Sequence, residues 1–341
     1  MNIERILFIQ TAFLGDAILA LPAIQKLKEL NPDSQIDVLC IPETEEIFSA
    51  SPSINKVIVI DKKGQHKSLF KTYKFIKQIK VNNYTKIYSL HRSLRTALII
   101  MLLEVRETYG FDISSLMHVY KNLVKYELSK HEVQRNLDLI GFNYDQESWK
   151  ILPEISITAE TKHKINLFLT DDNLNSGFIA IAPGSVWNTK KYPAEYFEEL
   201  IKHFIDENEK VVLIGSKKDS VDCSVIASKF NDKVYNASGK FTVMESIELL
   251  KRAKFLISND SAPTHMAMCA DIKTLTIYCS TVPEFGFYPY NKKSSYISFN
   301  DLKCKPCGIH GYYSCPIKTF DCGKKLLPQH IIEKFEEILS D

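Results

Sequence analysis

The stretch Asn259-Asp260-Ser261-Ala262-Pro263-Thr264-His265 decides how this chain is read. It follows the apolar run Phe255-Leu256-Ile257 and leads into Met266-Ala267-Met268-Cys269-Ala270. That order spells a buried strand, a tight turn and a helix start. The first turn of a helix carries backbone N–H groups without partners and about half a positive charge, so an anion belongs there. Asp260 and Ser261 suit a cap or a sugar hydroxyl, and Thr264 and His265 add donors. An ordinary strand-to-helix loop of an α/β domain fits the same seven residues, and the rest of the chain decides between the two.

Outward from this turn, short apolar runs alternate with helical periodicity. In the second half, strands are expected at 178–182, 211–214, 255–258 and 275–278, with helices at 161–169, 194–208, 220–230 and 243–251. The first half repeats the pattern, with strands at 6–9, 36–40, 57–60 and 87–90 and helices at 17–30, 69–79 and 94–103. Pro22 lies inside the first helix and is expected to kink or delay it. Continuous apolar strands alternating with helices mean parallel sheets covered on both faces. Neither half carries Gly-x-Gly-x-x-Gly, which argues against a dinucleotide fingerprint. The expected organisation is a domain over 1–154, a linker near Pro153, a second domain over 155–327, and a helix over 328–341 that packs back on the first domain.

Composition narrows the class. The chain has 341 residues, 45% hydrophobic and 25% charged, which suits two globular domains and excludes disorder as the main reading. Its formal charge is +2, so no global field draws nucleic acid and anion recognition must be local. No basic leader with a cleavage site opens the chain, and the longest apolar run, 97–103, is too short for a membrane span. A cytoplasmic location with mostly reduced cysteines is expected.

Open parallel sheets bind ligands at the carboxyl ends of their strands, and three loops fall there. Gly15-Asp16 follows the first strand, placing a carboxylate at a helix start, where it serves as a cap or, facing a cleft, as a base. Pro183-Gly184-Ser185-Val186-Trp187-Asn188-Thr189-Lys190-Lys191-Tyr192-Pro193 supplies small donors and paired lysines ahead of a helix, either a diphosphate cradle or a solvated loop. The third is the turn at 260–265. His91-Arg92-Ser93-Leu94-Arg95 also ends a strand, and Arg92 and Arg95 are candidate clamps for an anionic acceptor. Lys62, Lys63 and Lys67 form another basic loop. Cys304, Cys307, Cys315 and Cys322 bring four of the eight cysteines into the segment 304–322, which suits a structural zinc site or reduced thiols.

Taken in order, Gly15-Asp16 with Leu21-Pro22-Ala23, Lys190-Lys191-Tyr192-Pro193 and Asp260-Ser261-Ala262-Pro263-Thr264-His265 resemble the bacterial ADP-heptose:lipopolysaccharide heptosyltransferases. The resemblance implies a GT-B fold, two Rossmann-like α/β domains facing a central cleft. It further implies an inverting heptose transfer that requires no metal, from ADP-heptose to a lipopolysaccharide inner-core acceptor, with peripheral contact at the inner face of the inner membrane and no nucleic-acid partner. By the same resemblance Asp16 is the catalytic base, Lys190 binds phosphate and Asp260 contacts the donor sugar. Ser261, Ala262 and His265 line the diphosphate and ribose, Ser185, Asn188 and Thr189 add donors, and Phe241 lies beside the adenine. The family's Lys-x-Trp-Pro is here Lys190-Lys191-Tyr192-Pro193, and its Asp-Ser/Thr-Gly is Asp260-Ser261-Ala262, whose extra methyl stands near the phosphate position. Transfer from another nucleotide sugar, a sugar-nucleotide epimerase, or a catalytically inactive binding protein on the same fold are the competing readings.

Overall fold

The computed structural model describes residues 3–340. The chain divides between Ser156 and Ile157 into two units. The N-terminal unit runs β1 (Arg5–Ile9), α1 (Leu14–Leu30), β2 (Gln35–Cys40), α2 (Glu45–Ser49), β3 (Lys56–Val59), α3 (Leu69–Lys80), β4 (Lys86–Ser89), α4 (Leu94–Leu103), β5 (Glu107–Phe111), β6 (Asn122–Val124) and α5 (Glu132–Leu139). The C-terminal unit runs α6 (Ala159–Asp171), β7 (Ile179–Ala182), α7 (Ala194–Asp206), β8 (Val211–Leu213), α8 (Ser220–Ala227), β9 (Val234–Asn236), α9 (Val243–Leu250), β10 (Phe255–Asn259), α10 (Ala262–Ala270), β11 (Thr274–Tyr278), β12 (Ser295–Ser298), α11 (Asp321–Lys324) and α12 (Pro328–Ser340).

Each unit holds one six-stranded sheet, ordered β3-β2-β1-β4-β5-β6 in the first and β12-β11-β10-β7-β8-β9 in the second. Every pairing is parallel. Both are therefore the doubly wound order, with its reversal between β1 and β4 in one unit and between β7 and β10 in the other. Because crossovers cover both faces of such a sheet, its central strands must be apolar throughout. Ile6 to Ile9 and Phe255 to Ile257 are all fully buried.

The helices follow from spacing and caps. In α7 the buried residues Phe197, Leu200, Ile201 and Phe204 recur at i, i+3, i+4 and i+7, the stripe of a helix laid on a sheet. Ser93 opens α4 by accepting from the Thr96 N–H, and Thr242 opens α9 in a reciprocal box with Glu245. Helix α1 is buried from Ala17 to Gln25. It starts at Leu14, before the expected position, and continues through Pro22 to Leu30, so the proline does not delay it.

The last helix, α12, sends Ile331, Phe335 and Ile338 into the core of its own unit. Phe335 meets Phe204 and Phe255 edge-on, with ring centres 5.0 and 4.7 Å apart, and Lys273 Nζ donates to the Ile338 carbonyl at 2.8 Å. The apolar face of α12 thus packs on α7 and β10.

Candidate active site: two half-sites at the sheet reversals

In the N-terminal unit the reversal places the loop after β1 beside the loop after β4. Thr11 anchors both: its Oγ1 lies 2.9 Å from His91 Nδ1, and Lys62 Nζ donates to the same oxygen at 2.5 Å and to the Thr11 carbonyl at 3.2 Å. Thr96 Oγ1 lies 2.8 Å from His91 Nδ1. Burial, with Lys62 and Arg92 nearby, pushes the His91 imidazole down to about 4, so it stays neutral. Burial and the Arg95 charge push Lys62 down to about 8.

Asp16 stands in the first turn of α1, three residues after Phe13, the residue that precedes the helix. The backbone N–H groups of Asp16 and Phe13 lie near its carboxylate and favour its charged form. The residue keeps partial solvent access, yet its carboxyl is hemmed in by protein. Desolvation is the largest influence on it, and the Glu132 charge adds to that. The two N–H groups and Arg92 oppose them, and the carboxyl ends at about 7. A carboxyl near 7 is half ionised at neutral pH, which suits a group that accepts a proton during turnover.

Glu132 was not anticipated from the sequence. It sits at the start of α5 with Arg135 one turn on, Nη1 to Oε2 at 2.7 Å, and both side chains are buried. Tyr126 donates to Glu132 Oε2 at 2.9 Å and accepts from Arg135 Nη1 at 2.9 Å. The Arg92 and Arg135 guanidinium carbons lie 4.1 and 4.6 Å from the Tyr126 ring centre. Arg92 is therefore a held, partly exposed cation whose charge reaches Asp16. Arg95, on the first turn of α4, is partly exposed, and its charge is felt at Lys62. The sequence signal that could have exposed Glu132 is its placement three residues before Arg135 on a helix with few apolar positions.

In the C-terminal unit the reversal brings together the 183–193 loop and the 259–265 turn. Asn259 joins them: its amide donates to the Pro183 carbonyl at 2.7 Å and accepts from the Tyr192 N–H at 3.0 Å. Its own carbonyl accepts from the hydroxyls of Ser258, Ser261 and Thr264. Asp260 Oδ2 then meets Lys190 Nζ at 2.6 Å and the Thr281 hydroxyl at 2.6 Å. Both charged side chains are mostly buried, so the pair is held rather than solvated. Ser261 and Ala262, at the start of α10, are partly exposed. His265 is buried and its Nδ1 has no hydrogen-bond partner. Burial holds its imidazole at about 4, against the Asp260 charge and together with that of Lys190.

The remaining candidates fall into distinct places. Ser185 is partly exposed in the loop beside Gly184, where a Cβ would come 2.3 Å from Asp219 Oδ1, so that glycine lets the Asp219 carboxylate close against the loop. Asn188 donates to the Tyr313 carbonyl at 3.1 Å. Thr189 is buried: its Oγ1 accepts from the Tyr312 N–H at 2.8 Å and from Ser280 at 3.0 Å, and its N–H donates to the Tyr312 carbonyl at 3.0 Å. The threonine thereby braces the loop. Phe241 packs edge-on against Phe168 at 5.0 Å, before the first turn of α9.

The four cysteines of the 304–322 segment differ in burial. Among the described residues no group of three or more His, Cys, Asp or Glu side chains could hold a metal ion. Cys304 is exposed, Cys307 and Cys315 are partly exposed, and Cys322 is buried in the hydrophobic core on α11, its thiol pushed up to about 11 by that burial. A thiol kept protonated among apolar side chains packs as a small hydrophobe, and nothing among the described residues supports the zinc expectation. What fastens the segment is Lys305, whose Nζ donates to the carbonyls of Tyr278 and Phe299 at 3.0 and 3.1 Å, together with the Thr189 to Tyr312 brace.

Comparison with known proteins meets this geometry. Residues 72–311 match the model of glycosyltransferase family 9 (heptosyltransferase). Lipooligosaccharide heptosyltransferase 2 of Campylobacter jejuni is 23% identical over 96% of this chain and 96% of its own. Lipopolysaccharide heptosyltransferase 2 of Salmonella typhimurium is 21% identical over 99% of each. Among solved structures, a family 9 glycosyl transferase of Veillonella parvula superposes with a TM-score of 0.85 at 21% identity, covering 99% and 98% of the two chains. Escherichia coli heptosyltransferase WaaC with ADP-2-deoxy-2-fluoro heptose gives 0.71 at 18% identity, covering 98% and 99%. The fold is that of the GT-B heptosyltransferases, and because the family match spans more than half of the sequence, the chain belongs to glycosyltransferase family 9.

Proposed function

We propose that this glycosyltransferase moves heptose from ADP-heptose to a sugar of the lipopolysaccharide or lipooligosaccharide inner core, with inversion at the anomeric carbon. In this reading Asp16 takes the proton from the acceptor hydroxyl as that oxygen attacks the carbon from the face opposite the diphosphate. Such a base contributes about 10²- to 10⁴-fold. Negative charge grows on the departing ADP, and Lys190 with the N-terminus of α10 answers it as donors already in place before the reaction. Asp260, tied to Lys190 and Thr281, takes the donor sugar's hydroxyls. Arg92, fixed over Tyr126, and Arg95 hold anionic groups of the acceptor. Because lysine and helix end neutralise the leaving group, this mechanism calls on no divalent ion.

The observation that carries the reading is the Asp16 carboxyl, raised to about 7 at the reversal point of a sheet whose family transfers sugars. The test is to offer the purified protein ADP-heptose, a UDP-sugar or a GDP-sugar together with inner-core acceptor and to weigh the product. Gain of one heptosyl residue with release of ADP is expected. Turnover of a UDP- or GDP-sugar, with ADP-heptose left intact, would refute the donor assignment.

A further inference from the structure

Two donors meet one oxygen of Asp260. Lys190 Nζ and the Thr281 hydroxyl each lie 2.6 Å from Oδ2, while the other oxygen, Oδ1, makes no hydrogen bond or ion pair among the described residues. Oδ1 is not sealed in, and the side chain as a whole stays 10% exposed. A carboxylate turns about its last bond through a broad, roughly two-fold profile, so bonds to its oxygens decide which one faces outward. With both donors on Oδ2, the outward oxygen is Oδ1.

The two ties are not equivalent. An ammonium has three protons, and in the proposed mechanism Lys190 shares them with the departing diphosphate. Thr281 has one hydroxyl proton, is fully buried, and makes no other side-chain hydrogen bond among the described residues. Strands β11 and β7 flank β10, so Thr281 and Lys190 reach the Asp260 carboxylate from opposite neighbours of its strand. The backbone around Thr281 is tethered on several sides. The Asp260 N–H donates to the Ile277 carbonyl at 3.1 Å and the Cys307 N–H to the Ser280 carbonyl at 2.9 Å, while the Ser280 hydroxyl donates to Thr189 Oγ1 at 3.0 Å. A hydroxyl on so constrained a loop, committed to one carboxylate oxygen, sets direction where the lysine supplies charge.

We propose that Thr281 is a positioning residue for the transferred sugar, an inference that rests on placing the donor sugar at Asp260. It holds Asp260 Oδ2 so that Oδ1 is turned to accept from the sugar's hydroxyls. Recognition of the sugar is thereby separable from recognition of the diphosphate, which Lys190 and the start of α10 carry. Thr281 touches no substrate itself and acts only through that carboxylate.

The test compares kcat/KM for the donor with calorimetric affinity for the matching nucleoside diphosphate alone. Whichever nucleotide sugar the wild type turns over is used, so a wrong donor assignment leaves the comparison readable. Thr281→Val removes the hydroxyl at similar size. It should lower donor kcat/KM about 10-fold, the effect of losing a hydrogen bond to a charged group, with diphosphate affinity held within about twofold. Thr281→Ser keeps the hydroxyl and should stay within about threefold of wild type on both measures. In an Asp260→Ala background, followed by single-turnover transfer, Thr281→Val should cost less than about twofold more, because the carboxylate it acts through is gone. Equal losses of donor turnover and diphosphate affinity in Thr281→Val would mark a plain structural prop and overturn the proposal. So would wild-type turnover by Thr281→Val, a fall in Thr281→Ser as large as in the valine variant, or the full loss persisting without the Asp260 carboxylate.

Discussion

Asp16 carries opposing demands in one carboxyl. Its ordinary pKa is near 3.8 and in the folded protein it rises to about 7, so between these values the native state binds more protons than the unfolded chain. Stability is therefore lost as pH climbs through that window, and above 7 the folded protein bears an ionised group in a desolvated place. Asp16→Asn should raise the melting temperature at pH 8 while leaving it nearly unchanged at pH 4, read by calorimetry. His265 and His91, each held neutral at about 4, give the reverse slope between 6.5 and 4, and comparing variant with wild type cancels them. The same carboxyl predicts that kcat/KM rises with pH and levels off above about 7. Glu132→Gln removes one of the charges that raise it and should move that break to lower pH. Lys190→Ala leaves Asp260 mostly buried with Thr281 alone as partner, and such losses cost about 3–5 kcal/mol. Urea unfolding should show that loss, and ADP titration should show weaker binding.

At the scale of elements, what the sequence made legible tracks how each element is stabilised. Continuous apolar runs announced β1, β2, β7, β10 and β11 because these strands are buried on both faces, and periodicity announced α4 and α7 because one face meets a sheet. The strands β5, β6, β9 and β12 were not foreseen. The last three are short, partly exposed and end their sheets, so pairing with a neighbour fixes them more than their own residues do. Helix α5 escaped for a related reason: beside Val133, Leu137 and Leu139 it buries Glu132, Arg135 and Asn136, which blur the apolar stripe and are satisfied by the Glu132–Arg135 pair and the Leu19 carbonyl. The candidate site was legible where a residue acts through its place in a turn, as with Asp16, Lys190 and Asp260. It was illegible where the role depends on distant contacts, as with Thr189 braced by Tyr312. Gly311 illustrates that brace. It has φ near +78° and a Cβ there would come 3.0 Å from Ser280 Oγ and Thr189 Oγ1 and 3.3 Å from Lys190 Cγ. Gly311→Ala should lower both the melting temperature and ADP affinity, whereas Phe335→Ala, in the α12 contact, should cost about 3–5 kcal/mol of stability in urea with ADP affinity retained.

Across the whole molecule, two sheets with the same strand order have been given different chemistry at the same place. In each, the crevice lies where the strand order reverses, but the first unit fills it with a near-neutral carboxyl and arginines, the second with a lysine, a buried histidine and a helix end. The account assigns proton removal to the first and donor binding to the second, so binding and chemistry should come apart on mutation. ADP at 100 times its Kd stabilises the protein it binds by about 2.7 kcal/mol, and this gain should appear undiminished in Asp16→Asn. The decisive measurement is ADP affinity by calorimetry alongside single-turnover heptose transfer, in wild type and Asp16→Asn. The prediction is equal affinity within about twofold and transfer slower by about 10²- to 10⁴-fold. Transfer at the wild-type rate, or a loss of ADP binding as large as the loss of transfer, would contradict it.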